Sequence, residues 1–261
     1  MKIKIHYTYI VIALSFMLCG YFANLLVFTS IILMHDLGHI IMANLMGIKI
    51  GKIVIYPYGG VLELDIKVNT RIGKELLVAI GGFLGQTVFY IGIVCCFEMG
   101  IIREYIFELF RNYYKSILLF NMLPIYPLDG SKIVRLLLDY WLPYNFVNKL
   151  VIIISLVVGL VVVCANIYQF NYTFLMIGMV IIDNLRKYYW NLDYYFNLFL
   201  LERYLYRYSF KKRKIVRNVR GMQKDKYHFF SNSDGYEAEK QFLERKFGRN
   251  REKMFDYSKR L

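Results

Sequence analysis

Charged residues are scarce in this sequence of 261 residues. Asp, Glu, Lys and Arg together make up 20% of it, whereas 57% of the residues are hydrophobic. Several windows of about 17 or more residues are almost free of charge. Runs of that length match the hydrocarbon thickness of a bilayer and exceed what the core helix of a soluble protein needs. This scarcity excludes an ordinary soluble domain and predicts an integral membrane protein.

Cysteine is scarce as well. Its four copies, Cys19, Cys95, Cys96 and Cys164, all lie in apolar stretches, and none belongs to a C-x-x-C pair. The adjacent Cys95 and Cys96 do not suggest a disulfide framework. We interpret all four as small apolar fillers and assign no redox function to them.

Acidic residues are outnumbered by basic ones, 19 to 33, and the net charge is +14. The excess is concentrated after Arg203, with KKRK at positions 211–214. Basic segments beside membrane spans stay on the cytoplasmic side, so we expect a cytoplasmic C-terminus. No RNA-binding or helix-turn-helix pattern accompanies the basic residues. Contact with anionic lipid head groups is therefore favoured, and no nucleic-acid partner is expected.

The apolar runs predict an all-α polytopic membrane protein with about six transmembrane helices, near residues 7–19, 25–46, 74–99, 102–122, 147–165 and 172–188. The first run is expected to be an uncleaved span. Alternating residues on both sides of Tyr56-Pro57-Tyr58-Gly59-Gly60 predict a small β-hairpin between the second and third spans. Residues 1–194 would form the membrane domain and 195–261 a short basic cytoplasmic segment. Six spans, together with the positions of Lys and Arg, predict that both termini are cytoplasmic.

A five-residue motif, His35-Asp36-Leu37-Gly38-His39, lies in the second predicted span. Four positions separate the two histidines, so on a helix they project from the same face and can share one zinc ion. Asp36 between them could accept a proton, as the glutamate does in the zinc-peptidase motif H-E-x-x-H. The alternative is a pair of histidines that are hydrogen-bonded inside a bundle. Metal binding is favoured because ionisable residues inside a transmembrane segment are usually functional.

A catalytic zinc ion needs three protein ligands and one open position. The remaining histidines, His6 and His228, lie before the first span and in the basic tail, so neither is well placed. Asp129 is the better candidate, since Pro124 and Pro127 fix the backbone before it and a carboxylate beside apolar spans is costly unless it is paired or binds a metal.

Three glycines, Gly81, Gly82 and Gly85, interrupt the bulky residues of the third span. Small residues at this spacing allow another helix backbone to come close. Gln86, which follows directly, is a polar group at membrane depth and needs a partner.

With these motifs, the chain resembles the site-2 protease group of intramembrane zinc metallopeptidases, and within it the stage IV sporulation protein FB branch. The resemblance rests on the two-histidine motif, the segment 56–60, the glycines up to Gln86, and the pattern N-x-L-P-x-x-P-L-D-G at 121–130, and it covers about residues 5–205. It implies that His35, His39 and Asp129 ligate one zinc ion. It also implies that Asp36 is the general base and that Asn121 stabilises the developing oxyanion or the substrate backbone.

The resemblance further implies an activity and a location. Family members use a zinc-activated water to cut membrane-tethered precursors, often transcription factors, near the cytoplasmic face, and the sporulation branch releases a sigma factor from its pro-sequence. The hairpin near Tyr58 would help to position an unwound substrate. The expected location is a bacterial cell or forespore membrane.

Two departures from the family pattern stand out. Asp36 replaces a glutamate and is shorter by one methylene, and a misplacement near 1 Å can cost roughly a hundredfold in rate. An active protease is our first hypothesis, and an inactive zinc-binding membrane scaffold or regulator is the alternative. Some relatives also carry a nucleotide-sensing CBS domain. About 60 residues are too few for a CBS pair, so we expect a small helical or partly disordered appendage.

Overall fold

The computed structural model describes residues 2–5, 7–56, 59–64, 66–165, 172–206, 208–210, 212–232 and 235–248. His6 and Tyr58 lie outside the described residues. The chain divides into two compact units, Met1–Ile66 with Gly73–Ile133 and Lys67–Ile72 with Val134–Leu261.

The first unit is built mainly from helices. Its elements are β1 (Lys2–Ile5), α1 (Tyr7–Leu18), α2 (Phe22–Leu45), β2 (Ile50–Tyr56), β3 (Gly59–Leu64), α3 (Ile72–Glu98), α4 (Glu104–Met122) and the first residues of α5 (Asp129–Asp139). Strand β2 pairs antiparallel with β3. It also pairs parallel with β1, and this second pairing was not expected from the sequence. The buried residues Val27 and Ile31 of α2 pack with Ile117 of α4, and aromatic side chains surround them.

Helix α2 ends as the sequence predicts. Gly47 adopts a positive φ of 72°, which a residue without a Cβ adopts at little cost. The amide of Gly47 donates to the carbonyl of Asn44, and the amide of Ile48 donates to that of Ala43. These two bonds form a Schellman motif, so the prediction of a glycine helix cap is confirmed.

Three helices are long and apolar enough to cross a membrane: α2, α3 and α6 (Tyr144–Ala165). They support the predicted integral membrane protein. The other three expected spans are helical, as α1, α4 and α7 (Tyr172–Trp190), but within the described residues none combines the length and apolarity of a crossing helix. Six spans are therefore not confirmed.

The second unit contains most of the basic tail. It comprises α6, α7, α8 (Leu192–Leu205), β4 (Lys212–Val216), a 3-10 turn (Val219–Gly221), β5 (Lys226–Asn232), β6 (Gly235–Ala238) and α9 (Glu239–Gly248). Helix α8 continues through residues 194 and 195, where the boundary between the membrane domain and the basic segment was expected. Strand β5 pairs parallel with β4 and antiparallel with β6.

The expectation of a small helical or partly disordered tail was wrong for the residues of β4, β5 and β6, whereas α9 is helical as expected. In β5, the buried residues His228 and Phe230 alternate with less buried neighbours, which is the two-residue period of a strand on a core. Phe230 joins a buried cluster with Val216, Met222 and Leu243. The tail therefore buries enough apolar surface to form a sheet, despite its many charges.

A buried ionic network lies inside the second unit. The guanidinium of Arg203 donates to both carboxylate oxygens of Glu239 at 2.9 and 3.2 Å, to the carbonyls of Gln223 and Lys226, and to the side chain of Asn69. The ring of His228 accepts from the amide of Gln223 through Nε2 and donates to Glu239 through Nδ1. Both ring nitrogens are thus satisfied in the neutral form.

Burial also sets the pKa values in this network. Desolvation lowers the pKa of His228 below 6.5, although the hydrogen bond to Glu239 acts in the opposite direction. Burial raises the pKa of Glu239, but the bond from His228 and the charge of Arg203 outweigh it and hold that pKa below 4.5.

Candidate metal centre

The two histidines of α2 and Asp129 meet in the first unit. His35 and His39 stand one turn apart and are 5% and 7% exposed, and Asp129, the first residue of α5, is 6% exposed. The Nε2 atoms of His35 and His39 lie 2.9 and 3.0 Å from Oδ2 of Asp129, and 3.2 Å from each other. The sequence thus predicts correctly which three side chains come together.

The opposite ring nitrogens fix the histidine tautomers. Nδ1 of His39 lies 2.8 Å from the backbone carbonyl of Val78. A carbonyl can only accept, so this Nδ1 carries a hydrogen and Nε2 of His39 presents a lone pair when the ring is neutral.

Gln86 has the same effect on His35. Its amide nitrogen donates to the carbonyl of Tyr114 at 3.0 Å, so its oxygen faces Nδ1 of His35 at 3.2 Å. Gln86 was expected to need a hydrogen-bond partner at membrane depth, and these two contacts provide it. Nδ1 of His35 is therefore the donor, and its Nε2 also presents a lone pair.

Three lone-pair atoms consequently face one another in a buried space: two imidazole nitrogens and one carboxylate oxygen. These groups repel when the rings are neutral, and a cation at their centre converts the repulsion into attraction. Tetrahedral zinc bonds of about 2.0–2.1 Å separate ligand atoms by ~3.3 Å, close to the observed 2.9–3.2 Å. In metal-binding histidines, the ring nitrogen that does not bind the metal usually donates to a hydrogen-bond acceptor, as Nδ1 does in both rings here. The donor set therefore fits a metal ion.

Lys132 holds the carboxylate from the other side. Its ammonium donates to Oδ1 of Asp129 at 2.8 Å, one helical turn along α5, which leaves Oδ2 for the histidines. Gly130 allows this loop to close, because a Cβ there would collide with the carbonyls of Met122 and Leu123. The role of Lys132 was not assigned from the sequence, although the spacing of three between Asp129 and Lys132 is a recognisable helix pair.

Glycines bring α2 and α3 together at the site. A Cβ at Gly38 would collide with the carbonyl of Gly81, and one at Gly85 would lie 2.6 Å from the carbonyl of Met34. The predicted close helix approach is confirmed. Gly82 leaves space for the two histidine rings, since a Cβ there would collide with the imidazole of His39 and lie 2.7 Å from Cε1 of His35.

The two residues with expected catalytic roles lie on the elements that carry the site. Asp36 follows His35 on α2 and is half-buried. Asn121 is half-buried near the C-terminal end of α4, before the loop that leads to Asp129. Their roles stay predictions.

The fold and this site define a class: an integral membrane protein with a buried two-histidine, one-carboxylate group suited to a metal. Comparisons with known proteins narrow the class. The chain is 34% identical to the stage IV sporulation protein FB of Bacillus subtilis over 164 residues, which are 63% of this chain and 57% of that protein. It is 30% identical to a zinc metalloprotease of Methanocaldococcus jannaschii over 199 residues, which are 69% of this chain and 55% of that protein.

A structural comparison agrees with the sequence comparisons. The solved site-2 protease of Methanocaldococcus jannaschii has the same fold with a TM-score of 0.54 at 23% identity, over 71% of this chain and 89% of that one. No protein-family model matches the chain. The chain spans little more than half the length of the curated relatives named above. The chain thus resembles the site-2 protease family of intramembrane metallopeptidases.

Proposed function

We propose that this protein is an intramembrane zinc endopeptidase that cleaves a membrane-associated precursor, such as a pro-sigma factor or another tethered regulator, near the cytoplasmic face. The observation that carries the proposal is the buried convergence of His35, His39 and Asp129 through three lone-pair atoms. The names of the relatives, one a sporulation protein and another a zinc metalloprotease, support the metal and the reaction.

Each residue of the site has a part in this proposal. His35, His39 and Asp129 hold one zinc ion, while Gln86 and the carbonyl of Val78 keep the histidines in the required tautomer. Bound zinc supplies Lewis acidity, which activates water and polarises a peptide carbonyl.

Two further residues complete the chemistry. The carboxylate of Asp36 takes a proton from the attacking water and returns it to the leaving amine. The side-chain amide of Asn121 donates a hydrogen bond to the developing oxyanion or to the backbone of the substrate.

The membrane arrangement is part of the proposal. Six spans with both termini in the cytoplasm would put the site beside the cytoplasmic face of the bacterial cell or forespore membrane. The lysines and arginines of the basic tail support this orientation, because such residues stay on the cytoplasmic side.

Coexpression with a membrane-tethered candidate precursor tests the activity. We expect the wild type to release the precursor, and His35→Ala and Asp129→Asn to lose both cleavage and zinc. Asp183→Asn is a matched control, since Asp183 lies on α7 and makes surface ion pairs with Arg186 and Lys187. Cleavage that survives in His35→Ala would rule out the zinc-protease proposal.

Asp36 variants separate the active enzyme from the alternative, an inactive zinc-binding scaffold. In an active enzyme Asp36→Asn abolishes cleavage but leaves the zinc content unchanged. A wild type that binds zinc without cleaving, combined with an Asp36→Glu variant that cleaves, would identify a scaffold that has lost its base.

A further inference from the structure

The connection between strands β4 and β5 is held against the beginning of helix α6. The backbone amide of Tyr144, the first residue of α6, donates to the carbonyl of Met222 at 3.0 Å, just after the 3-10 turn. The ring of Tyr144 stacks on Phe199 of α8 with 4.5 Å between the ring centroids. Because α6 is long and apolar enough to cross a bilayer, its first turn marks the membrane surface. The 3-10 turn is therefore fixed at the level of the lipid head groups.

A cavity of about 380 Å³ opens at this place. Asn145 and Lys149 line it from one face of α6, four residues apart, and Asp193 and Asn197 line it in the same way from α8. Arg220 from the 3-10 turn and Lys246 from the last turn of α9 close it. Four separate elements thus contribute polar side chains to one cleft.

The cleft is positively charged. Three cations, Lys149, Arg220 and Lys246, stand against the single carboxylate of Asp193, which leaves a formal charge of +2. Within the described part of the chain, no ion pair joins Asp193 to these cations, whereas exposed lysines elsewhere pair with acidic residues along their own helices. The cations of the cleft are therefore available to an external anion.

We propose that this cleft binds a phosphate group, supplied either by the head group of an anionic phospholipid or by soluble phosphate. A guanidinium and two ammonium groups are the side chains that phosphate oxygens prefer, and Asn145 and Asn197 add amide donors. Asp193 offers an acceptor to a hydroxyl group carried on the phosphate, as in a glycerol head group. The position at the start of α6 gives a lipid head group direct access.

Binding can be measured on the full-length protein in a neutral detergent. The probes are phosphatidylglycerol vesicles, phosphatidylcholine vesicles and inorganic phosphate. The test variant is Arg220→Gln with Lys246→Gln. Its matched control, Arg213→Gln with Lys240→Gln, removes the same charge from exposed positions outside the cleft. Hydrogen exchange of the β5 amides reports whether the second unit of each variant is correctly folded.

We expect the test variant to bind phosphatidylglycerol vesicles about 10-fold to 30-fold more weakly than the wild type, because it lacks two basic residues that attract anionic lipid. The control should lose less affinity than the test variant. Competition between inorganic phosphate and the vesicles would show that the same cleft also binds soluble phosphate. No competition would restrict the source to the lipid. Equal losses in both variants would overturn the proposal, and so would a wild type that binds neither phosphatidylglycerol vesicles nor inorganic phosphate.

Discussion

Replacing Gln86 tests whether this side chain holds His35 in the tautomer that can bind a metal. Gln86 is fully buried, accepts from Nδ1 of His35 and donates to the carbonyl of Tyr114. Gln86→Leu has nearly the same volume but removes both hydrogen bonds. His35 is then free to carry its hydrogen on Nε2, the atom that would ligate the metal in the proposed site. Partners of this kind contribute about 10-fold to 100-fold in metal affinity, which is about 1.4–2.7 kcal/mol.

The assay is a zinc titration of full-length protein against a competing chelator. Because Gln86→Leu lacks the acceptor for Nδ1 of His35, we expect it to bind zinc about 10-fold to 100-fold more weakly than the wild type. Gln86→Glu retains an acceptor for Nδ1 and should bind more tightly than the leucine variant. Gln241→Ala is the control, because Gln241 is exposed on α9. A leucine variant with the affinity of the wild type would refute the proposed role of Gln86.

Three further predictions concern the packing and the second unit. Gly82→Ala should reduce zinc affinity at least about tenfold by pushing a methyl group into the imidazoles, while Gly92→Ala, which has no neighbour within 4 Å, should bind normally. Arg203→Leu should destabilise the second unit by about 3–5 kcal/mol in thermal unfolding, because the buried carboxylate of Glu239 loses the guanidinium that neutralises its charge. Adding Glu239→Gln should recover part of that loss, and no recovery would contradict the buried-charge explanation. Acid should weaken the same unit as the pH falls below 6.5, since the unfolded chain protonates His228 before the folded one does. The protection factors of the β5 amides against hydrogen exchange, which correct for the pH dependence of the intrinsic rate, should therefore decrease as the pH falls from about 7 to about 5 in the wild type, and less so in His228→Gln.

The sequence predicts the three converging side chains better than their surroundings, for a physical reason. The spacing of His35 and His39 is local, and one helical turn places both side chains on one face. Asp129 is recognisable because prolines and a glycine flank a carboxylate beside apolar helices. The acceptors are different: the carbonyl of Val78 lies 39 residues from His39, and Gln86 lies 51 residues from His35. Such pairs depend on how α2 crosses α3, which no local pattern specifies.

The C-terminal sheet shows where the prediction failed. Charges dominate the segment after Arg203, and this composition favours a solvated tail. However, Phe230 and Met222 are fully buried and the charges of Arg203 and Glu239 neutralise each other inside the unit. The parallel pairing of β4 with β5 is also a nonlocal contact, which a period-two pattern over five residues does not reveal.

The most direct test of the proposed function is zinc X-ray absorption spectroscopy on the full-length protein. If His35, His39 and Asp129 hold the ion, the spectrum should show two imidazole nitrogens and light oxygen ligands at about 2.0–2.2 Å, without sulfur. Asp129→Asn should change the oxygen shell or remove the zinc, while Asp183→Asn should leave the spectrum unchanged. Sulfur ligands, or a spectrum that is the same in Asp129→Asn and the wild type, would contradict this site.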